Sequence, residues 1–258
     1  MKLRSTLFAV MTLLGTAAAV LVLASGQALA DPSESESGKR PYTTDFSLDD
    51  CTFVNDDTGL AGNPLWFALI PGNQLTLADD EAEVVVTVCD GTCLGDNGGN
   101  GTEVVDGVTT RVIEEQETED DELKEVSRNF VARCEENNSI VYFGEDVDDY
   151  EDGVVVGHEG AWRVGQDDAE AGILMPGQFL LGSRYFQEMA PEIALDRAEN
   201  AEINLEIEVP LDGGTTYEDC VRVFETSGLH SSDRSEKLYC PGVGLVYDDE
   251  IELVDKNF

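Results

Sequence analysis

The chain has 258 residues, of which 54 are Asp or Glu and only 15 are Lys or Arg, so its formal net charge at pH 7 is −39. A protein this acidic is repelled by nucleic acids and by anionic membranes, which excludes both as natural partners. Adaptation to high salt, binding of divalent cations and simple solvation would each explain the acidity. Composition leaves these three explanations open.

The first thirty residues have the pattern of an export signal. A short basic start precedes an apolar run over residues 7–24, and Ala28-Leu29-Ala30 has the small residues of a cleavage site. We expect residues 1–30 to be removed, leaving an exported protein, periplasmic or extracellular, without membrane insertion. The alternative is an uncleaved membrane anchor, because the apolar run is long enough to span a bilayer.

All six cysteines lie beyond this segment, at Cys51, Cys89, Cys93, Cys134, Cys220 and Cys240. An even number of cysteines in an exported protein predicts disulfides. Two of them, Cys220 and Cys240, lie in consecutive strand-like segments and are predicted to pair. The alternative for Cys89 and Cys93 is a metal site, but neither histidine has a suitable spacing to them.

The rest of the chain divides into an acidic leader and one domain. Residues 31–62 are polar and turn-rich, so we expect a partly disordered leader, with Cys51 as a possible tether. Residues 63–258 contain β-branched or alternating segments separated by turn signals, without the regular helices of an α/β fold. The pattern predicts one mainly β, antiparallel domain with at most one or two short helices. Segment 183–200 is predicted to be a short helix or a bent strand, and "GILMPGQFLLG" at 172–182 is predicted to be a connector.

One segment, 201–211, alternates most clearly. Its apolar residues Ile203, Leu205, Ile207 and Val209 are separated by polar ones. This period of two predicts a strand with one buried face and one solvated acidic face.

The acidic stretch Tyr142–Trp162 is the strongest candidate for a binding site. Numbered from Asp148, it matches four positions of an EF-hand calcium loop, but Tyr150 occupies a position that requires an oxygen ligand. The flanking segments are also strand-like rather than helical. We therefore interpret the stretch as a β-hairpin whose turn is Asp152-Gly153.

This hairpin suggests a smaller cation site. Counting back from the turn places Asp148 opposite Gly157 and Asp146 opposite Glu159. The three acidic side chains would then share one face, where like charges repel each other unless a cation or salt screens them. We hypothesise a low-affinity divalent-cation site, for calcium, at Asp146, Asp148 and Glu159. The alternative is a solvated hairpin tip without a metal.

Other motifs single out no catalytic residue. His158 could lie beside Asp149 as a general-base pair, but no serine in a nucleophile context accompanies it. The glycine-rich loop 95–101 lacks the lysine and the following helix of a phosphate-binding loop. Trp66 and Trp162 are predicted to be packing residues rather than a sugar-stacking platform.

Several sequence blocks resemble a family of uncharacterised exported bacterial proteins and, more distantly, TapB-like domains. The blocks are "EVSRNF", "YFGEDVDDYEDG", "HEGAW", "GILMPG", "YFQEMAP", "LDRAEN", "TYEDCVRVFETS" and "KLYCPGVGLV". The resemblance covers roughly residues 63–254. It implies a single antiparallel curved sheet or partial barrel, and it carries no catalytic residues.

Together these features favour an exported, non-enzymatic binding or structural module whose ligand the sequence does not specify. One alternative is an exported hydrolase, which needs a deep cleft with convergent carboxylates of shifted pKa. A second is a carrier of hydrophobic ligands, which needs an open apolar interior. The sequence indicates no cofactor other than the candidate calcium ion, and no oligomer.

Overall fold

A computed structural model describes residues 41–58, 66–94, 99–230 and 232–258. In these ranges sixteen strands form one antiparallel sheet, and a single 3-10 turn, Leu211–Gly213, is the only helical element. The mainly β, antiparallel prediction is therefore confirmed. The predicted signal peptide, residues 31–40 of the leader and most of the glycine-rich loop lie outside the described residues. Nothing in the described ranges forms a helix that is both long and apolar enough to cross a membrane.

The strands are β1 (Phe53–Val54), β2 (Gln74–Ala78), β3 (Ala82–Val88), β4 (Thr102–Val105), β5 (Val108–Glu119), β6 (Glu122–Cys134), β7 (Ile140–Glu151), β8 (Val154–Gly157), β9 (Trp162–Arg163), β10 (Gly172–Met175), β11 (Arg184–Phe186), β12 (Asp196–Val209), β13 (Thr215–Ser227), β14 (Arg234–Cys240), β15 (Gly244–Asp248) and β16 (Ile251–Lys256).

Most neighbouring strands are joined by hairpins. The order along the sheet is β10-β7-β6-β5-β3-β2-β16-β15-β14-β13-β12-β11, while β1 pairs with β6, β4 with β5, and β8 and β9 with β7. The predicted turn between β7 and β8 is confirmed, because φ is 50° at Asp152 and 74° at Gly153. Two-residue hairpin turns of this type need positive φ at both positions, which explains the Asp-Gly pair.

The sheet curves until its two end strands meet without closing into a barrel. An isolated bridge joins Glu170 to Met189, with 2.9 Å between the Glu170 nitrogen and the Met189 carbonyl oxygen. Gly172 permits the approach, because a Cβ atom there would lie 2.0 Å from the carbonyl oxygen of Gln187. The curved sheet or partial barrel expected from the family resemblance is thus observed. The predicted connector at 172–182 contributes an end strand, β10.

The strand registers define the inner face of this curved sheet. Val86 pairs with Glu115, and Glu115 pairs with Ser127 across β3, β5 and β6. On the opposite wall Lys237 pairs with Asp248 and with Val223. Because directly paired residues project to the same face, charged side chains lie there beside the apolar core.

The segment 41–58, which the sequence placed in the leader, packs on the domain. Strand β1 pairs with β6, and Cys51 forms a disulfide with Cys134 on β6. Asp57 is buried, with its Oδ1 2.6 Å from Nε of Arg133 and its Oδ2 accepting the backbone N–H of Leu69 at 2.7 Å. A covalent bond and a buried ion pair therefore hold part of this acidic segment in place.

All six cysteines form disulfides: Cys51–Cys134, Cys89–Cys93 and Cys220–Cys240. The predicted Cys220–Cys240 pair is confirmed, and it links the adjacent strands β13 and β14. Three disulfides indicate an oxidising, exported environment.

The alternating segment in β12 follows the prediction from Leu205 onward. Val209 is buried, and Leu205 and Ile207 pack against the core, whereas Ile203 is 38% exposed. The pairing of β12 with β13 shifts register between Glu202 and Leu205 and again between Leu205 and Ile207, and Asn204 has φ of 57°. These irregularities interrupt the period of two, so the apolar residues do not all face the core.

Candidate functional site

An apolar recess opens at the end of the inner face where β2 begins and β3 ends. Its cavity volume is about 40 Å³, and it is open to solvent. Its lining residues are Phe67, Ala68, Asn73, Leu75, Val86, Val88, Ile113, Gly242, Val243, Gly244, Leu245 and Phe258. Asn73 is the only polar side chain in this lining, and no charged side chain is present. The recess therefore suits an apolar group rather than an ion.

A charged layer lies farther along the same inner face. Lys237 is fully buried, with its Nζ 3.2 Å from Oε2 of Glu225 and 3.3 Å from Oδ2 of Asp248. Glu225 also accepts a hydrogen bond from Nε2 of Gln187 at 2.7 Å. Glu115 is buried nearby, and neither of its carboxylate oxygens has a hydrogen-bond partner. One ammonium group is thus surrounded by carboxylates in the interior.

Burial dominates the protonation of this layer. It raises the pKa of Asp248 to about 7, although the charge of Lys237 opposes the rise. Burial raises the pKa of Glu115 well above its ordinary value, again against the attraction of Lys237. For Lys237 itself burial lowers the pKa, but the charges of Asp248 and Glu225 outweigh burial and raise it overall. The lysine therefore stays charged while neighbouring carboxyls retain protons.

A second carboxylate group surrounds Trp162. The indole Nε1 of Trp162 donates to Oε1 of Glu188 at 3.4 Å, and Trp162 pairs in register with Glu145. The ring of Tyr142 packs edge-on against Trp162, with centroids 5.2 Å apart. Its hydroxyl donates to Oδ1 of Asn129 at 2.5 Å. Because successive residues of a strand project to opposite faces, Glu145 and the hairpin carboxylate Asp146 lie on different faces of the sheet.

Glu145 and Glu188, the two glutamates beside Trp162, are buried. Glu145 and Glu188 are each 1% exposed. Burial raises the pKa of Glu145 well above its ordinary value, and the charge of Glu188 raises it further. Burial also raises the pKa of Glu188, with a further contribution from Asp196.

In the described structure, the ligand atoms of the predicted cation-site residues Asp146, Asp148 and Glu159 do not all lie within 4.8 Å of one another. Asp146 is 2.7 Å from Nη2 of Arg163, and Asp148 is 2.5 Å from Nη2 of Arg128. A guanidinium group therefore neutralises each aspartate. Glu159 contributes only its backbone N–H to this hairpin, which donates to Asp149 at 3.0 Å. Two of the three predicted ligands therefore already have a positive partner.

The expected hairpin register is also wrong by one residue. The pairs nearest the turn are as expected, but a bulge between Asp149 and Tyr150 places Gly157 opposite Asp149 instead of Asp148. His158 consequently contacts Oδ1 of Asp148 at 3.0 Å and the carbonyl oxygen of Val147 at 2.7 Å. The general-base pair suggested for His158 and Asp149 is replaced by these contacts.

Two further expectations concern metals and tryptophans. In the described ranges, one group of three potential metal ligands has its ligand atoms within 4.8 Å of one another. It consists of Cys51, Cys134 and Glu136. The two sulfur atoms of that trio form a disulfide, so they are not free to bind a metal. Trp162 is 4% exposed and packs in the core, as predicted.

Comparisons with known proteins leave the site to be interpreted from its own chemistry. No protein-family model, no curated protein and no solved structure matches this chain. The likeness to TapB-like domains therefore stays an expectation from the quoted sequence blocks.

Proposed function

We propose that this chain is an exported, non-enzymatic binding protein that takes a small apolar ligand into the recess lined by Leu75, Val86 and Val88. The observation that carries this proposal is the lining itself, which is apolar except for Asn73 and opens to solvent. Ligand sites are typically concave, mostly apolar and equipped with a few polar groups that orient the ligand. The sequence left open that the protein carries hydrophobic ligands. The apolar lining supports this alternative.

The charge of the protein narrows the ligand class. With a formal charge of −39 the chain repels anionic amphiphiles such as fatty-acid carboxylates. Lys256 lies near the mouth, but its Nζ already contacts the carbonyl oxygen of Phe258 at 2.7 Å. A neutral ligand is therefore favoured, with affinity arising from the apolar area that it removes from water.

A hydrolase is the less supported alternative. Its catalytic carboxylates would have to line a cleft that substrate can enter. Glu145 and Glu188, whose pKa values are the most suggestive, are each 1% exposed. The apolar recess has no acidic side chain in its lining, and in a second concavity, lined by Asp146 and Asp167, Arg163 already pairs with Asp146.

Titration with the neutral fluorescent probe N-phenyl-1-naphthylamine tests the proposed function. Val243 lines the recess, so Val243→Phe should fill part of it and weaken probe binding at least about tenfold, or about 1.4 kcal/mol. Val104→Phe introduces the same ring at a 61% exposed position on β4 and should leave binding unchanged. Circular dichroism would verify that both variants are folded.

Two results would contradict the proposed function. One is a wild-type protein that does not bind the neutral probe. The other is equal loss of affinity in Val243→Phe and Val104→Phe, since only the first substitution reaches the recess.

A further inference from the structure

The side chain of Phe258 lies at the mouth of the apolar recess. It belongs to the lining and is nevertheless 42% exposed, so its ring lies between the recess and solvent. Deeper lining side chains, such as those of Leu75 and Val86, are buried. A ligand that enters the recess therefore passes the ring of Phe258.

The recess is small while this ring is in place. Its cavity volume of about 40 Å³ is room for only a few water molecules. An apolar cavity that binds benzene measures about 150 Å³. A ligand that carries a ring consequently needs space that the recess offers only after a lining side chain has moved.

Phe258 is the lining residue whose displacement disturbs the sheet least. The preceding residue, Asn257, anchors the chain to β2 and the turn before it. Its Oδ1 accepts the backbone N–H of Gln74 at 2.9 Å, and its Nδ2 donates to the carbonyl oxygen of Gly72 at 2.9 Å. Rotation of the Phe258 side chain leaves these hydrogen bonds and the pairing of β16 with β2 intact.

Lys256 attracts the ring at the mouth. Its Nζ lies 4.5 Å from the centroid of the Phe258 ring and 2.7 Å from the Phe258 carbonyl oxygen. The face of an aromatic ring attracts a cation, whereas a saturated ring does not. A ligand that takes the position of the Phe258 ring regains this attraction only if the ligand is aromatic.

We propose that the Phe258 ring occupies the position of the ligand in the recess, and that the ligand is a neutral molecule with an aromatic ring. The Phe258 ring rotates outward, the recess gains the volume that it leaves, and the ligand ring lies beside Lys256. This inference rests on the proposed function, because it names the ligand class and the route of access for the same recess.

Titration with N-phenyl-1-naphthylamine tests whether Phe258 competes with the ligand. A competing side chain lowers the apparent affinity in proportion to the fraction of molecules in the open state, so Phe258→Ala should bind the probe at least about threefold more tightly than wild type. Phe224→Ala is the matched control. Phe224 is half-buried and lies 4.5 Å from the Arg234 guanidinium, but it does not line the recess, so this variant should bind like wild type.

The outcomes distinguish this inference from the proposed function. If neither wild type nor Phe258→Ala binds the probe, both are overturned. If wild type binds and Phe258→Ala binds equally or more weakly, the ring is part of the binding wall and only the competing role of Phe258 is overturned. An equal gain of affinity in Phe224→Ala would overturn that role as well.

Competition between two neutral alcohols tests the ligand class. Benzyl alcohol and cyclohexylmethanol differ only in the saturation of their six-membered ring, and cyclohexylmethanol is the more hydrophobic. Benzyl alcohol should still displace the probe from Phe258→Ala at an at least about twofold lower concentration, because only its ring attracts the Lys256 ammonium. Adding Lys256→Met should abolish this preference. Displacement by cyclohexylmethanol at an equal or lower concentration, or a preference that survives Lys256→Met, would overturn the aromatic class.

Discussion

Replacing Lys237 by methionine is expected to destabilise the folded protein by about 3–5 kcal/mol at neutral pH, because it leaves buried carboxylates without their positive partner. Lys237 is fully buried and contacts both Glu225 and Asp248. Urea unfolding would measure the loss. The penalty should shrink at acidic pH, where Asp248, whose pKa burial raises to about 7, can take up a proton.

Two controls separate burial from simple loss of charge. Lys124 forms a 2.7 Å ion pair with Glu122, both partners being well exposed, so Lys124→Met should cost less than about 1 kcal/mol. Adding Glu225→Gln and Asp248→Asn to Lys237→Met removes the stranded charges and should restore much of the stability. A small effect of Lys237→Met, or a triple variant less stable than the single one, would contradict the assigned role.

Stability of the protein is expected to fall as pH rises from about 4 to about 8, by several kcal/mol. The folded state holds protons on Asp248 up to a pKa of about 7, whereas an unfolded aspartate releases its proton near 3.8. Burial likewise raises the pKa of Glu125 to about 8. Since the folded state binds more protons throughout this window, each increase in pH favours the unfolded state. Urea unfolding over this pH range would measure the slope.

Glu115→Gln isolates one contribution to this pH dependence. Glu115 faces Lys237 on β14, Asp248 on β15, Glu125 on β6 and Glu117 on its own strand. Because burial raises its pKa, the side chain is protonated at pH 5, where the substitution should be nearly neutral. At pH 8 the variant should be more stable than wild type by about 1–3 kcal/mol. Exposed Glu206→Gln should leave the pH slope unchanged, and stability rising from pH 5 to pH 8 in wild type would contradict the prediction.

Short-range patterns account for what could be predicted of the fold. Asp152-Gly153 indicated its turn because both positions need positive φ. Cys220 and Cys240 indicated their bond because they lie in consecutive strands. The hairpin register was missed because a bulge at Val156 adds one residue to β8, which the local sequence does not signal.

Sequence by itself determined the mainly β class, the disulfide chemistry and the acidity, because these depend on composition, on alternation and on neighbours along the chain. Only the tertiary structure decided which carboxylates are buried and have raised pKa values. Among 54 acidic residues, nothing local distinguishes Glu145 or Glu115 from the solvated ones. Curvature brings strands far apart in sequence around the same interior, and burial there raises the pKa of a carboxyl that would be ordinary on the surface. The inner face is therefore a property of the folded sheet and not of any single strand.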